Sequence, residues 1–308
     1  MKDLKECIPF AKTCCSYLTA SPDPYHAVQN SVNKLKEAGY VQLSRREPFT
    51  GKLTPGGKYY YTVNSTALVA FVVGKQYVPG NGFKIIGGHT DSPNLKVKPL
   101  SKRTMGGYTQ LGVECYGGGL WHTWLDRDLG ISGRVLVRTT NEQGKEVIEQ
   151  KLILITEPVA RVSSLCIHLQ TAEERSALKL NKEEHMSPIL GTQTVLEEAV
   201  KEQLEGSSAD NDPWKKGQEP ALLRLIASKL DINVESIADF ELNLFDTQPA
   251  SLGGIESEFL NSGRLDNLAT CFVSTEGLIA HSSSDLLETD EDISMMCLFD
   301  HEEVGSCK

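Results

Sequence analysis

The sequence predicts an α/β domain interrupted by a β-rich insertion, and three observations carry that expectation. Two apolar runs, Phe83 to Ile86 and Ile293 to Phe299, each read as a buried strand, and each empties into a polar loop, GGHTDSP (Gly87 to Pro93) and DHEEVG (Asp300 to Gly305). Between them, the stretch after GGHTDSP has the alternating, glycine-broken texture of antiparallel β structure. The expected organisation is therefore a first α/β segment over residues 1–94, an insertion over 95–235, and a second α/β segment over 236–308.

Taken in order, Leu4 to Leu18 reads as a helix. A second helix is better marked: Asp23 caps it, Pro24 occupies the first turn, and Tyr25, Val28, Val32 and Leu35 form one apolar stripe that Gly39 stops. Lys58 to Asn64 and Thr66 to Val73 read as strands joined by a turn at Asn64 and Ser65, and the tyrosine run of the first suits a strand surface. Beyond GGHTDSP, Leu95, Val97 and Leu100 alternate with lysines, and Thr109 to Gly130 is aromatic and glycine-rich, with His122, Asp126, Arg127 and Asp128 along it. Gly133 to Thr139 and Lys145 to Ile155 pair around a turn at Asn141 to Gly144, and Arg161 to Gln170 continues as strand. Thr192 to Leu204 and Glu219 to Leu230 read as helices separated by a loop from Gly206 to Trp214. Ile237 to Leu244 is strand-like and returns the chain to α/β texture, and a helical pattern runs from Arg264 through Ala280.

Composition narrows the partners. With 41 acidic against 31 basic residues the net charge is −10, which argues against a nucleic-acid surface or an anionic membrane. No apolar stretch approaches the roughly 18 residues of a membrane span, and the charged, mixed N-terminus does not resemble a signal peptide. Eight cysteines lie scattered without a CxxC pair, which reads as reduced thiols in a cytoplasmic protein. Adjacent Cys14 and Cys15 would close a strained ring if oxidised.

Three polar clusters at element ends carry the chemistry. His89 offers an imidazole nitrogen to a metal, and Asp91, two residues on, is placed to orient that ring; alone, the pair also fits an ordinary loop histidine. Asp300, His301, Glu302 and Glu303 crowd carboxylates after a core strand, an arrangement that a cation or a proton relieves, although two solvated glutamates on a loop fit as well. Arg264-Leu265-Asp266-Asn267 opens the last helix. Histidine and carboxylates gathered from separate elements are the inventory of a metal centre.

Seven motifs in sequence order add a resemblance: GGHTDSP, YGGGLWHTWLDRDL, IHLQ around His168, MSPILGT near Met186, DTQPASLGG from Asp246, RLDN at Arg264 and EEVGS from Glu302. Together they resemble the aspartyl aminopeptidase family of cytosolic zinc peptidases, over nearly the whole chain. The resemblance implies a two-zinc exopeptidase that removes acidic residues from peptide N-termini, with a split α/β/α catalytic domain and an inserted β-rich domain that helps build a dodecamer. By motif, His89 matches a ligand of one zinc, Asp266 the carboxylate bridging both, and Glu303 a ligand of the second. Asp91 matches the aspartate behind the histidine, Glu302 the general base, and His168 a histidine lent to a neighbouring subunit's site. His301 stands where the family is expected to carry another polar residue, and reads as a charged-loop histidine or a spare ligand.

The same resemblance implies that family members continue beyond EEVGS. An α/β/α domain incomplete at that end is expected to show an unpaired sheet edge and uncovered apolar faces, two protein ligands per zinc, and weak or no activity. A second reading is a non-catalytic subunit that associates with full-length enzyme through the inserted domain. A third is a two-zinc aminopeptidase of different specificity.

Overall fold

Seen in a computed structural model that describes residues 4–204 and 212–305, the chain runs α1 (Leu4–Ala20), α2 (Pro24–Glu37), β1 (Val41–Gln42), β2 (Lys58–Val63), β3 (Ala67–Val73), β4 (Phe83–His89), β5 (Asn94–Met105), β6 (Tyr108–Tyr116), β7 (Asp128–Thr140), β8 (Glu146–Arg161), α3 (Ala172–Ser176), α4 (Lys182–His185), β9 (Ile189–Thr192), α5 (Gln193–Leu204), α6 (Pro213–Lys216), α7 (Pro220–Leu230), β10 (Ile237–Asp246), β11 (Ser251–Gly253), β12 (Phe259–Asn261), α8 (Leu265–Ser282) and β13 (Ile293–Phe299). Contacts divide it into one unit of Met1–Ser92 with Pro249–Lys308 and another of Pro93–Gln248. Most of the loop expected from Gly206 to Trp214 lies outside the described residues.

The first unit is built on a five-stranded sheet in the order β1-β2-β3-β13-β4. β3 shows how the sequence makes it: Leu68, Ala70 and Val72 face one side and join the core with Leu18 of α1, Leu35 of α2 and Phe272 of α8, whereas Phe71 and Val73 face the other with Tyr59 and Ile293. The α2 cap is as the sequence indicates, Asp23 accepting from the His26 amide at 3.0 Å. Asn64 and Ser65 turn the chain between β2 and β3 with φ of 52° and 60°. β13 runs antiparallel to β3 and parallel to β4, with Phe299 beside His89. That parallel register brings the ends of the two apolar runs to the same edge of the sheet, the position where open α/β sheets assemble sites.

One expectation for β4 is overturned. Phe83, Ile85 and Ile86 are 55%, 59% and 53% exposed rather than buried, because β4 is the last strand of the sheet and no described strand pairs with its outer side.

The second unit is a closed six-stranded barrel in the order β10-β5-β6-β9-β8-β7, filled by Ile131, Val135, Ile153, Leu111, Leu242 and Leu244 and flanked by α7. Gly133 in β7 has a φ of 145°, and a Cβ there would sit 2.1 Å from the Glu241 carbonyl oxygen, so only glycine lets β10 pack this close. The boundaries expected at 94 and 235 move to 92 and 248. β10 pairs with β5 and β7 rather than with the sheet of the first unit. The strand expected over Arg161 to Gln170 is also corrected: β8 ends at Arg161, and a single 3-10 turn, Ile167–Leu169, follows. No described helix is long and apolar enough to cross a membrane.

Candidate metal centre

His89 is the last residue of β4, and its position is fixed from three sides. Its amide donates to Asn267 Oδ1 at 3.1 Å, its carbonyl accepts from the Cys271 thiol at 3.0 Å, and Gly88 leaves the room this needs, since a Cβ there would meet Asn267 Oδ1 at 2.8 Å. Burial pushes the Cys271 thiol up to about 12, so it serves as a donor and not as a thiolate. Asp266 and Asn267 both depart from helical backbone at the start of α8, and the regular helix follows them.

The imidazole has a defined polarity. His89 Nδ1 lies 3.1 Å from the main-chain oxygen of Asp91, which only accepts, so Nδ1 carries the hydrogen and Nε2 presents its lone pair. Nε2 faces Asp266 Oδ1 at 3.2 Å and Glu302 Oε2 at 3.8 Å. Three acceptors thus converge, which a divalent cation or an added proton resolves. His89, Glu302 and Glu303 each place one ligand atom within 4.8 Å of the others, the only such group among the described residues. An imidazole with carboxylates is a donor set that zinc accepts, so these residues fit that metal.

Asp91 does more than stand behind the histidine. Its carboxylate is fully buried and accepts from the Glu302 and Glu303 amides at 3.3 and 3.0 Å, while Oδ1 lies 3.5 Å from His89 Nδ1. One carboxylate therefore ties the loop after β4 to the 3-10 turn Glu302–Val304 after β13 and sets the directions of both glutamates. Behind it, the Thr90 hydroxyl donates to the Thr66 carbonyl at 2.7 Å, binding the loop to the sheet. Asp300, half-buried, is held above the usual carboxylate range by burial, partly offset by a bond from Thr66.

Of the six residues singled out from the sequence, five come together here: His89, Asp91, Asp266, Glu302 and Glu303. The grouping differs in detail, since Glu302 lies with His89 and Glu303 in the tight cluster and Asp266, 85% exposed, stands beside it on His89. His301 turns its ring to Asp300 at 3.4 Å and is outside the cluster. His168 belongs to the barrel unit and is exposed on the turn Ile167–Leu169. Asn267, whose side chain sets the His89 backbone, was signalled only by its place in the RLDN motif.

Comparison with known proteins places the chain in a family. The family model for aminopeptidase I zinc metalloproteases (M18) matches residues 17–308. A probable aspartyl aminopeptidase of Ricinus communis is 43% identical over 305 residues, covering 94% of this chain and 61% of the relative. The structure of Chaetomium thermophilum mApe1 superposes with a TM-score of 0.82 at 36% identity, covering 97% of this chain and 64% of that one. The dodecamer of S. cerevisiae mApe1 does so at 0.79 and 29%, covering 97% and 62%. The chain thus spans about three-fifths of the length of the curated relatives it matches. With a family match across nearly all of its length and the histidine and carboxylates of a metal centre gathered at one sheet edge, the chain belongs to the M18 family of zinc metalloproteases.

Proposed function

We propose that this chain contributes the centre of a cytoplasmic, self-associating aminopeptidase that hydrolyses Asp or Glu from peptide N-termini with two zinc ions. The observation that carries the reading is the convergence of His89, Asp266, Glu302 and Glu303 on one point, and its support is the aspartyl aminopeptidase name of the similar proteins. His89, Asp266 and Glu303 would hold the metal. Zinc bound there supplies Lewis-acid polarisation of the scissile carbonyl and a lowered pKa for attacking water.

The chain's own residues do the rest. His89 keeps its lone pair on Nε2 because the Asp91 main-chain oxygen holds Nδ1–H. Asp91 aims Glu302 and Glu303 through their amides, so the adjacent glutamates take different roles. Glu302, whose carboxylate is largely exposed, is free to accept the proton of an attacking water and to return it to the departing amine. His168, exposed on its turn in the barrel unit, is the group offered to another subunit's site.

The test is a panel of aminoacyl substrates with zinc present and with chelator. Zinc-dependent release of Asp and Glu in preference to Leu or Ala supports the reading. Preference for neutral residues overturns the specificity. Turnover that zinc and chelator leave unchanged overturns the metal-dependent reading, and absence of turnover in a zinc-loaded chain favours a subunit that only associates with complete enzyme.

A further inference from the structure

The segment after β8 carries hydrogen bonds of its own while burying almost nothing. Leu165, Ile167 and Leu169 are 50%, 59% and 70% exposed, and His168 lies between the last two. Yet the Leu169 amide donates to the Cys166 carbonyl at 3.0 Å, the Gln170 side chain donates to the Leu165 carbonyl at 2.5 Å, and α3 follows behind a capping box of Thr171 and Glu174. Holding an exposed segment in one conformation costs conformational entropy that no burial repays within the chain. The gain from such rigidity comes on binding, when the ordering cost has already been met.

The base of this spur is clamped at one residue. Asp126, in a left-handed conformation with φ of 61°, donates its amide to the Val162 carbonyl at 2.8 Å. Its carboxylate accepts from the Ser164 amide at 3.0 Å and from the Ser164 hydroxyl at 2.5 Å. Its carbonyl accepts from Arg161 at 2.6 Å, while the same guanidinium donates to Asp128 at 2.8 Å. Val162 is buried in the barrel core, so the clamp sits where the chain leaves the barrel. The Ser164 bonds, hydroxyl first and amide second, hold the Asp126 carboxyl below its ordinary range, in agreement with the geometry.

We infer that Asp126, acting through Ser164, is a positioning residue that presets the exposed spur so that His168 and its apolar neighbours are presented to a second copy of this chain in a single orientation. The inference rests on the reading that His168 serves another subunit's site, and it deepens that reading by naming what aims the histidine.

Hydrogen exchange read by mass spectrometry on the full chain tests it, beside the His168 ring signals in NMR spectra. Asp126→Ala should speed exchange of amides in 164–170 by about tenfold or more and move the His168 signals toward those of an unstructured peptide, with barrel amides in β7 and β8 unchanged. Ser164→Ala should give a smaller loss that Ser164→Thr, which retains a hydroxyl, restores. Unchanged exchange in Asp126→Ala, or equal loss across the barrel, overturns the inference. The reading beneath it is tested separately by His168→Ala. That variant should leave spur exchange as it was, and its effect on hydrolysis of an aspartyl substrate decides only whether the histidine serves a site.

Discussion

Replacing Asp91 by Asn probes the joint on which the candidate metal centre depends. The buried carboxylate accepts from the amides of Glu302 and Glu303 at 3.3 and 3.0 Å, one bond to each oxygen. Asparagine retains one acceptor and turns an NH2 group toward the other amide, so one charge-assisted bond is lost and two donors face each other in a buried place. A bond to a charged group contributes roughly 1.5 to 3 kcal/mol, and the unpaired amide adds to the loss, giving roughly 2 to 4 kcal/mol of destabilisation. His89 is affected less, because its Nδ1–H is bonded to the main-chain oxygen of Asp91, which the substitution leaves in place. Zinc affinity should therefore fall by about 10-fold, the lower end of what loss of an orienting partner produces. Urea unfolding and a competitive zinc titration read the two quantities. An unchanged midpoint together with unchanged affinity would refute the role assigned to this carboxylate.

Other consequences are separable. Burial raises the Asp290 carboxyl, but bonds from Lys84, the Asp292 amide and His281 outweigh it and bring the pKa down to about 2. Because the folded value lies below the unfolded one of about 3.9, this group's stabilisation of roughly 2.5 kcal/mol is present above pH ~4 and lost as pH falls toward ~2. Thermal melts across that window should be flatter in Asp290→Asn, and identical profiles would count against the network. Gly133→Ala places a Cβ 2.1 Å from the Glu241 carbonyl in a left-handed backbone, and should lower barrel stability by about 1 to 3 kcal/mol in urea titration; a neutral result contradicts the packing described. Ile85→Lys on the exposed β4 edge should reduce concentration-dependent association in light scattering while leaving the melting temperature nearly unchanged, and a large drop in stability would show that Ile85 is covered.

Much of this architecture is legible in the residues, and the exceptions share a cause. The Asp23 cap, the Asn64-Ser65 turn and the two apolar runs with polar ends are local signals, and the structure has them where the sequence places them. The convergence of His89 with Glu302 and Glu303 needs one further fact, the parallel register of β4 with β13, which no local pattern encodes. Phe83, Ile85 and Ile86 are exposed where the sequence predicts burial, because an apolar strand reads the same whether it lies inside a sheet or at its edge. β10 joins the barrel rather than the α/β unit for a similar reason: Leu242 and Leu244 would fill a barrel or a doubly covered sheet equally well. Leu165, Ile167 and Leu169 alternate like a strand but pair with no strand among the described residues, and the backbone closes into a turn instead. The bonds that Asp91 accepts from two backbone amides are hidden because backbone donors leave no trace in residue identity.

The central claim is that His89 and the glutamates after β13 form a zinc centre, and a crystal of zinc-loaded protein measured at the zinc absorption edge tests it most directly. The expected result is an anomalous peak about 2.0 to 2.2 Å from His89 Nε2 and from a carboxylate oxygen of Glu303 or Asp266, absent in His89→Ala. A peak elsewhere with none at His89, or one that persists unchanged in His89→Ala, would contradict it.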